Sequence, residues 1–157
     1  MPEIIVFTDG SHIKSKINPF CGYGVHFPNR ELPDISEEFT NKPTNQRAEL
    51  YAIYKAIKTI NEYNKDIDIK IYSDSEYSIK SMTIWIKNWK KNNWISSTGK
   101  PVMNQDIIKN IDELIINHNG KIKFKHVRAH TGKTDYESVH NDIVDKLARQ
   151  KYSLSDE

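Results

Sequence analysis

Four acidic residues stand in apolar surroundings that make their charge expensive. Asp9 follows Ile5 and Phe7 at the two-residue period of a strand face, and Asp74 closes the alternating run 67–73. Glu49 shares a helical stripe with Ile53, Ala56 and Ile60, so it points toward a sheet rather than to water. Asp145 neighbours Val144 and Ala148, with Asn141 one turn earlier on the same side. Carboxylates withdrawn from water need a positive partner. No cysteine–histidine cluster accompanies them, so the donor set is oxygen alone, which suits Mg²⁺ or Mn²⁺ rather than zinc. Two such ions about 3.5–4 Å apart can activate an attacking water and stabilise the leaving oxygen of an in-line phosphoryl displacement. The chemistry open to these residues is phosphodiester hydrolysis. Each also has an ordinary reading: Asp9-Gly10 as a turn, Asp74-Ser75 as a helix cap, Glu49 paired with Arg47 or a lysine, Asp145 on a solvated face beside Lys146. One binding requirement accounts for all four at once.

The elements that must position them follow from periodicity. Residues 4–8 form a short apolar strand stopped by the turn signal Asp9-Gly10-Ser11. Residues 22–27 and 35–39 read as two more strands, and three strands in close succession imply an antiparallel meander. Thr44 is a plausible N-cap for a long helix reaching about Tyr63. A strand over 67–73, two short helices over 76–82 and 84–91, and an amphipathic helix over 104–118 come next. A half-exposed strand over 121–127 and a last helix over 139–151 complete the chain. This order predicts an α/β fold with a mixed sheet and helices on its faces.

With 157 residues, the chain is expected to be a single domain over 1–157. One cysteine excludes an internal disulfide framework and suits a reducing compartment. The first apolar run is too short for a signal peptide, and nothing approaches the length of a membrane span, so an intracellular, cytoplasmic protein without membrane attachment is expected. A net charge of +2 says little about partners, but its distribution says more. Trp85, Trp89 and Trp94 are interleaved with Lys87, Lys90 and Lys91. At least one of these tryptophans should pack into the core, yet the lysines cannot all be buried, and aromatic–basic interleaving suits a nucleic-acid backbone.

Six segments in order resemble the ribonuclease H type 1 family: Phe-Thr-Asp-Gly-Ser at 7–11, Thr-Asn-Gln-Arg-Ala-Glu-Leu at 44–50, Tyr-Ser-Asp-Ser at 72–75, Trp-Ile-Lys-Asn-Trp-Lys-Lys-Asn-Asn-Trp at 85–94, Val-Arg-Ala-His-Thr-Gly at 127–132 and Asn-Asp-Ile-Val-Asp-Lys-Leu-Ala at 141–148. The resemblance covers about residues 4–150. It implies a ribonuclease H-like fold with a five-stranded mixed sheet of order 3-2-1-4-5, the first three strands antiparallel. It implies an endonuclease that cuts the RNA strand of RNA–DNA hybrids with two Mg²⁺ ions (Mn²⁺ possible), leaving 5′-phosphate and 3′-hydroxyl ends.

Residue by residue, the resemblance makes Asp9, Glu49, Asp74 and Asp145 the metal-binding, catalytic carboxylates. Asn141 and Leu147-Ala148 select Asp145 over Asp142 for the fourth role. His130 matches a histidine implicated in proton transfer or product release. Lys42, Thr44 and Asn104 match a pocket for a DNA phosphate, and Asn45 and Gln46 match residues reaching bases in the minor groove. Tyr77 and Trp85 match positions lining the channel for DNA sugars, while Lys90 and Lys91 belong to the basic protrusion that grips the DNA strand. A monomer without a separate hybrid-binding domain is expected. The rival readings are another nuclease of the same broad superfamily and a catalytically silent hybrid-binding module.

Overall fold

The computed structural model describes residues 2–129 and 131–155. Its centre is a five-stranded mixed sheet built from β1 (Glu3–Ile13), β2 (Phe20–His26), β3 (Ile35–Glu38), β4 (Asp68–Ser73) and β5 (Ile122–His126), in the order β3-β2-β1-β4-β5. The first three strands pair antiparallel as the expected meander, and β1–β4 and β4–β5 pair parallel.

The helices are α1 (Asn45–Tyr63), α2 (Glu76–Lys80), α3 (Ile86–Lys91), α4 (Gln105–Asn117) and α5 (Tyr136–Ser155). A π-helical turn, Ser81–Trp85, joins α2 to α3, so the two short helices expected here are one continuous helical run. The long helix α1 starts where its cap predicts: Thr44 is extended and its hydroxyl accepts from the Arg47 backbone N–H at 3.1 Å. The last helix begins at Tyr136 rather than 139, because Asp135 caps it by accepting from the Ser138 N–H at 3.3 Å and hydroxyl at 2.8 Å.

The core follows the two periods. Ile4 and Val6 of β1 and Ile69 and Ile71 of β4 face Leu50, Ile53, Ile57 and Ile60 of α1 and Ile108 and Ile111 of α4, all with no exposed surface. Each such side chain contributes about 1.5–3 kcal/mol on burial. The opposite face is smaller, with Phe7, Tyr72, Val127 and Val144 packed together. There α5 lies directly on β2. A Cβ at Gly22 would stand 2.5 Å from the Ala148 carbonyl oxygen, so only glycine lets the helix approach this closely. Among the described residues no helix is long and apolar enough to cross a membrane.

The expected turn at Asp9-Gly10-Ser11 is not there. β1 runs on through these residues to Ile13, pairing Asp9 with Gly24 and Ser11 with Gly22. The glycine meets a steric demand from α1, taken up below, and not a change of chain direction.

Candidate active site

The parallel ladder between β1 and β4 ends at the pair Thr8–Ser73. The next residue on each chain is an aspartate, so Asp9 and Asp74 emerge side by side where the parallel strands finish. In open α/β sheets that edge collects ligands. Glu49, in the second turn of α1, comes over this edge from the helix side. A Cβ on Gly10 would lie 2.4 Å from the Glu49 backbone nitrogen and 2.5 Å from the Ala48 carbonyl carbon, which no side chain could tolerate. With that space clear, the Gly10 N–H donates to Glu49 Oε1 at 2.6 Å and to Asp9 Oδ1 at 3.0 Å. One amide thus orients two carboxylates.

Asp9, Glu49 and Asp74 each bring a carboxylate oxygen to within 4.8 Å of the others. Asp9 and Glu49 are only 3 % and 6 % exposed. Burial, then the neighbouring Glu49 and Asp74 charges, push the Asp9 carboxyl well above the usual carboxylate range. Burial, then Asp74, does the same to Glu49. Among the described residues no lysine or arginine forms an ion pair with these three. Hard oxygen donors within reach of one centre, with no cationic side chain paired to them, are a donor set that fits a divalent cation.

Asp145 reaches the same cleft, of about 390 Å³, from α5. It stands outside the tight trio, and Oδ2 accepts from the Arg149 guanidinium one turn later at 2.7 Å. Its proximity adds, last among the causes, to the upward push on the Asp9 carboxyl. Asn141 is 2 % exposed, and its side-chain oxygen is buried without a hydrogen-bond partner among the described residues. His12, Asn45 and Ala129 complete the wall near the carboxylates. His130, read from the sequence as a candidate catalytic residue, lies outside the described residues.

Arg47 does not pair with Glu49. Its guanidinium turns the other way and grips Asp106 with two bonds of 2.9 and 2.8 Å, while Nε donates to the Asn41 carbonyl at 3.1 Å. Arg47 also reaches Asn104 Oδ1 at 3.4 Å, and Asn104 Nδ2 donates to the Tyr77 hydroxyl at 2.9 Å. Thr44, Asn104 and Tyr77 are therefore tied into one polar cluster where α1 and α4 begin. Lys42, Asn45 and Gln46 are exposed beside it.

Trp85 is 36 % exposed and lies 6.0 Å, ring centre to ring centre, from both Tyr77 and Trp89. Trp89 and Trp94 pack against the core, as the interleaved segment required of at least one of them. Lys91 is exposed, whereas Lys90 is held 2.7 Å from Asp112. The sequence reading passed over Arg149 and His12. Arg149 had a visible signal, standing four residues after Asp145 on one helix face. His12 had none, because β1 was read as ending before it.

Comparison with known proteins agrees with this geometry. The RNase H family model matches residues 1–153. A probable ribonuclease H of Acanthamoeba polyphaga mimivirus is 47 % identical over 131 residues, covering 81 % of this chain, which spans only 56 % of that relative's length. A ribonuclease H of Haemophilus influenzae is 39 % identical, covering 94 % of this chain and 88 % of the relative. Among solved structures, the PFV RNase H domain superposes with a TM-score of 0.77 at 26 % identity, over 96 % of this chain and 94 % of that one. By sequence, by fold and by the carboxylates gathered at the end of β1 and β4, the chain belongs to the RNase H family.

Proposed function

We propose that this chain hydrolyses the RNA strand of RNA–DNA hybrids as an endonuclease, leaving 5′-phosphate and 3′-hydroxyl ends. The observation that carries the proposal is the trio of buried Asp9 and Glu49 with half-buried Asp74, whose oxygens lie within 4.8 Å of one another. Those three with Asp145 would hold Mg²⁺, in two ions, with Mn²⁺ as the alternative. Bound there, the ions would activate the attacking water and neutralise charge developing on the scissile phosphate.

The chain's own residues do the rest. The Gly10 amide fixes the orientation of Asp9 and Glu49, so the cage is set before substrate arrives. Arg149 holds Asp145 at the rim of the cleft. Thr44, Asn104 and Lys42 take a DNA phosphate, with Arg47 bracing Asn104 from behind. Asn45 and Gln46, exposed at the first turn of α1, reach the minor groove. Tyr77 and the exposed edge of Trp85 form an apolar wall for DNA sugars. Lys90 and Lys91 bind the DNA backbone without regard to sequence. His130 serves proton transfer or product release.

The test is cleavage of RNA–DNA hybrid, duplex DNA and duplex RNA of one sequence, with Mg²⁺, with Mn²⁺ and with EDTA. Metal-dependent cutting of the hybrid's RNA strand alone is expected. Cutting of duplex DNA would favour a different nuclease of the same fold, and hybrid binding without cutting would favour a silent binding module.

A further inference from the structure

On one side of the sheet the covering is incomplete. There α5 packs on β1, β2 and β3 and leaves most of β4 and β5 open. In their parallel register Lys70 stands beside Lys123, and Tyr72 beside Lys125. Residues two apart on a strand share a face, so three lysines gather on the open half. Lys123 and Lys125 are exposed, and Lys70 is half-buried. The Lys70 and Lys125 ammonium groups stand 5.2 and 5.7 Å from the centre of the Tyr72 ring. Lys125 is held by Glu137 at 2.6 Å, whereas among the described residues Lys70 and Lys123 form no ion pair. Glu3 and Asp68 also face this side, beside each other and two residues further from the catalytic edge.

Like charges directly opposite on neighbouring strands are destabilising, so the Lys70–Lys123 pair calls for an anion. Lysines on an edge strand also deter pairing with another sheet. That role asks for charge on β5 alone, and Lys70 belongs to the inner strand β4. The basic track also runs on. Glu137, the partner of Lys125, lines a hollow of about 330 Å³ together with Arg128 and Lys133. Asp135, in the same hollow, is engaged in capping α5. Ala129, the residue after Arg128, lines the carboxylate cleft. The cations therefore lead from the open strands to the catalytic edge.

We propose that this open half of the sheet binds an unpaired RNA strand continuing from a hybrid held in the cleft. The inference rests on the reading of the cleft given above, in which RNA lies on the carboxylates and DNA lies toward Trp85. The track begins at the carboxylates, so the RNA strand is the one it receives. Lys123 and Lys125 are about 6.6 Å apart along β5, a step that suits successive phosphates of one extended backbone. β4 and β5 are only about 4.8 Å apart, so the surface offers a path for one backbone and not for the two of a duplex. Phosphate contacts of this kind hold a strand without regard to its sequence.

The test compares a blunt hybrid with hybrids carrying a single-stranded RNA or DNA flank at either end, by equilibrium binding in EDTA. An RNA flank at one end should tighten binding about tenfold at about 50 mM salt. The gain should fade by about 200 mM, since three single-strand contacts add about two to the slope of log affinity against log salt. Lys70→Gln combined with Lys123→Gln should lose most of the gain and about 1.4 of that slope. The same variant should bind and cleave blunt hybrid as the parent does. Glu137→Gln, which releases Lys125, should enlarge the gain. Cleavage of the blunt hybrid reports on the cleft alone, so failure of that reading and failure of the flank effect are told apart. No gain from an RNA flank at either end, a gain from DNA flanks only, or a double variant that keeps the whole gain would overturn the surface. Anionic lipid vesicles bound through Lys70 and Lys123 without any flank gain would assign the face to a membrane and equally overturn it.

Discussion

Replacing Asp9 by asparagine should stabilise the metal-free protein and destroy its activity in the same step. The trio holds three carboxylates with oxygens no more than 4.8 Å apart, and at an effective dielectric of about 20 each ionised pair at that distance costs about 3.5 kcal/mol. The metal-free protein relieves part of this by retaining protons, which is why burial and the neighbouring charges drive the Asp9 and Glu49 carboxyls upward. Proton uptake leaves about 1–3 kcal/mol for the substitution to recover, or about 3–10 °C in Tm for a chain of this size.

The sign with pH follows from the same groups. Their folded values lie above the unfolded ones, so the native state binds more protons. The favourable contribution is complete below the unfolded values near 4 and is lost as pH rises through the raised folded values. In EDTA, the parent's Tm should therefore be lowered by this site on going from about pH 5 to about pH 8, and Asp9→Asn should remove the Asp9 share of that decline while Glu49, held up by burial and Asp74, keeps its own. Added Mg²⁺ should stabilise the parent most at the alkaline end and the variant hardly at all. The assay is a thermal melt in EDTA and in Mg²⁺ across that range, with hybrid cleavage and hybrid binding measured on the same samples. Binding should survive and cleavage should not. A variant no more stable than the parent in EDTA at about pH 8 would refute the electrostatic reasoning, and full Mg²⁺-dependent cleavage would refute the assignment of the site.

Three further substitutions probe the scaffold and the binding surface. Gly10→Ala forces a Cβ to 2.4 Å from the α1 backbone. It should cost about 1–3 kcal/mol in a denaturant melt and lower the rate of hybrid cleavage by displacing Glu49. Arg47→Ala leaves Asp106 unpaired and lets go of Asn104, and should cost about 1–2 kcal/mol, well short of a fully buried pair because the Asp106 side chain is 57 % exposed and its charge stays in water. It should also raise KM for hybrid more than it lowers kcat. Lys90→Ala combined with Lys91→Ala should raise KM and reduce the slope of log affinity against log salt by about one to two, and an unchanged slope would remove these lysines from the binding surface.

What could be read from the sequence was local in origin. Thr44 caps α1 with its own hydroxyl, and Glu49 sits on a stripe that α1 itself defines, so both were legible without knowing the partner surface. The sheet order came through the family resemblance, while periodicity gave the meander of β1 to β3. The misreadings came partly from local turn and cap geometry and partly from contacts made across long separations. Nothing near Ser81–Trp85 announces that two short helices fuse through a π turn, and the start of α5 depended on recognising Asp135 as its cap. The partner of Arg47 is Asp106, 59 residues away, so proximity in sequence to Glu49 was no guide. The 2.8 Å contact between His26 Nε2 and His140 Nδ1 joins residues 114 apart and has no sequence signature at all.

Asp9-Gly10 shows how one dipeptide can be misread in mechanism and still point to the right place. As a turn, it would have ended β1 and left Asp9 on a mobile corner, where holding a carboxylate against two others would be difficult. In the fold, β1 continues with β2 after β4 has stopped, so Asp9 is braced by antiparallel pairing on one side and free on the side where Asp74 emerges. Glycine is required because α1 must come within contact of the strand for Glu49 to reach the same point. The same glycine then supplies the amide that both carboxylates share. A strand without a side chain at that position thus lets a helix carboxylate and a strand carboxylate be held from one backbone group. Gly10→Ala and Asp9→Asn should therefore fail differently: the first through geometry, with loss of stability, and the second through charge, with gain of it.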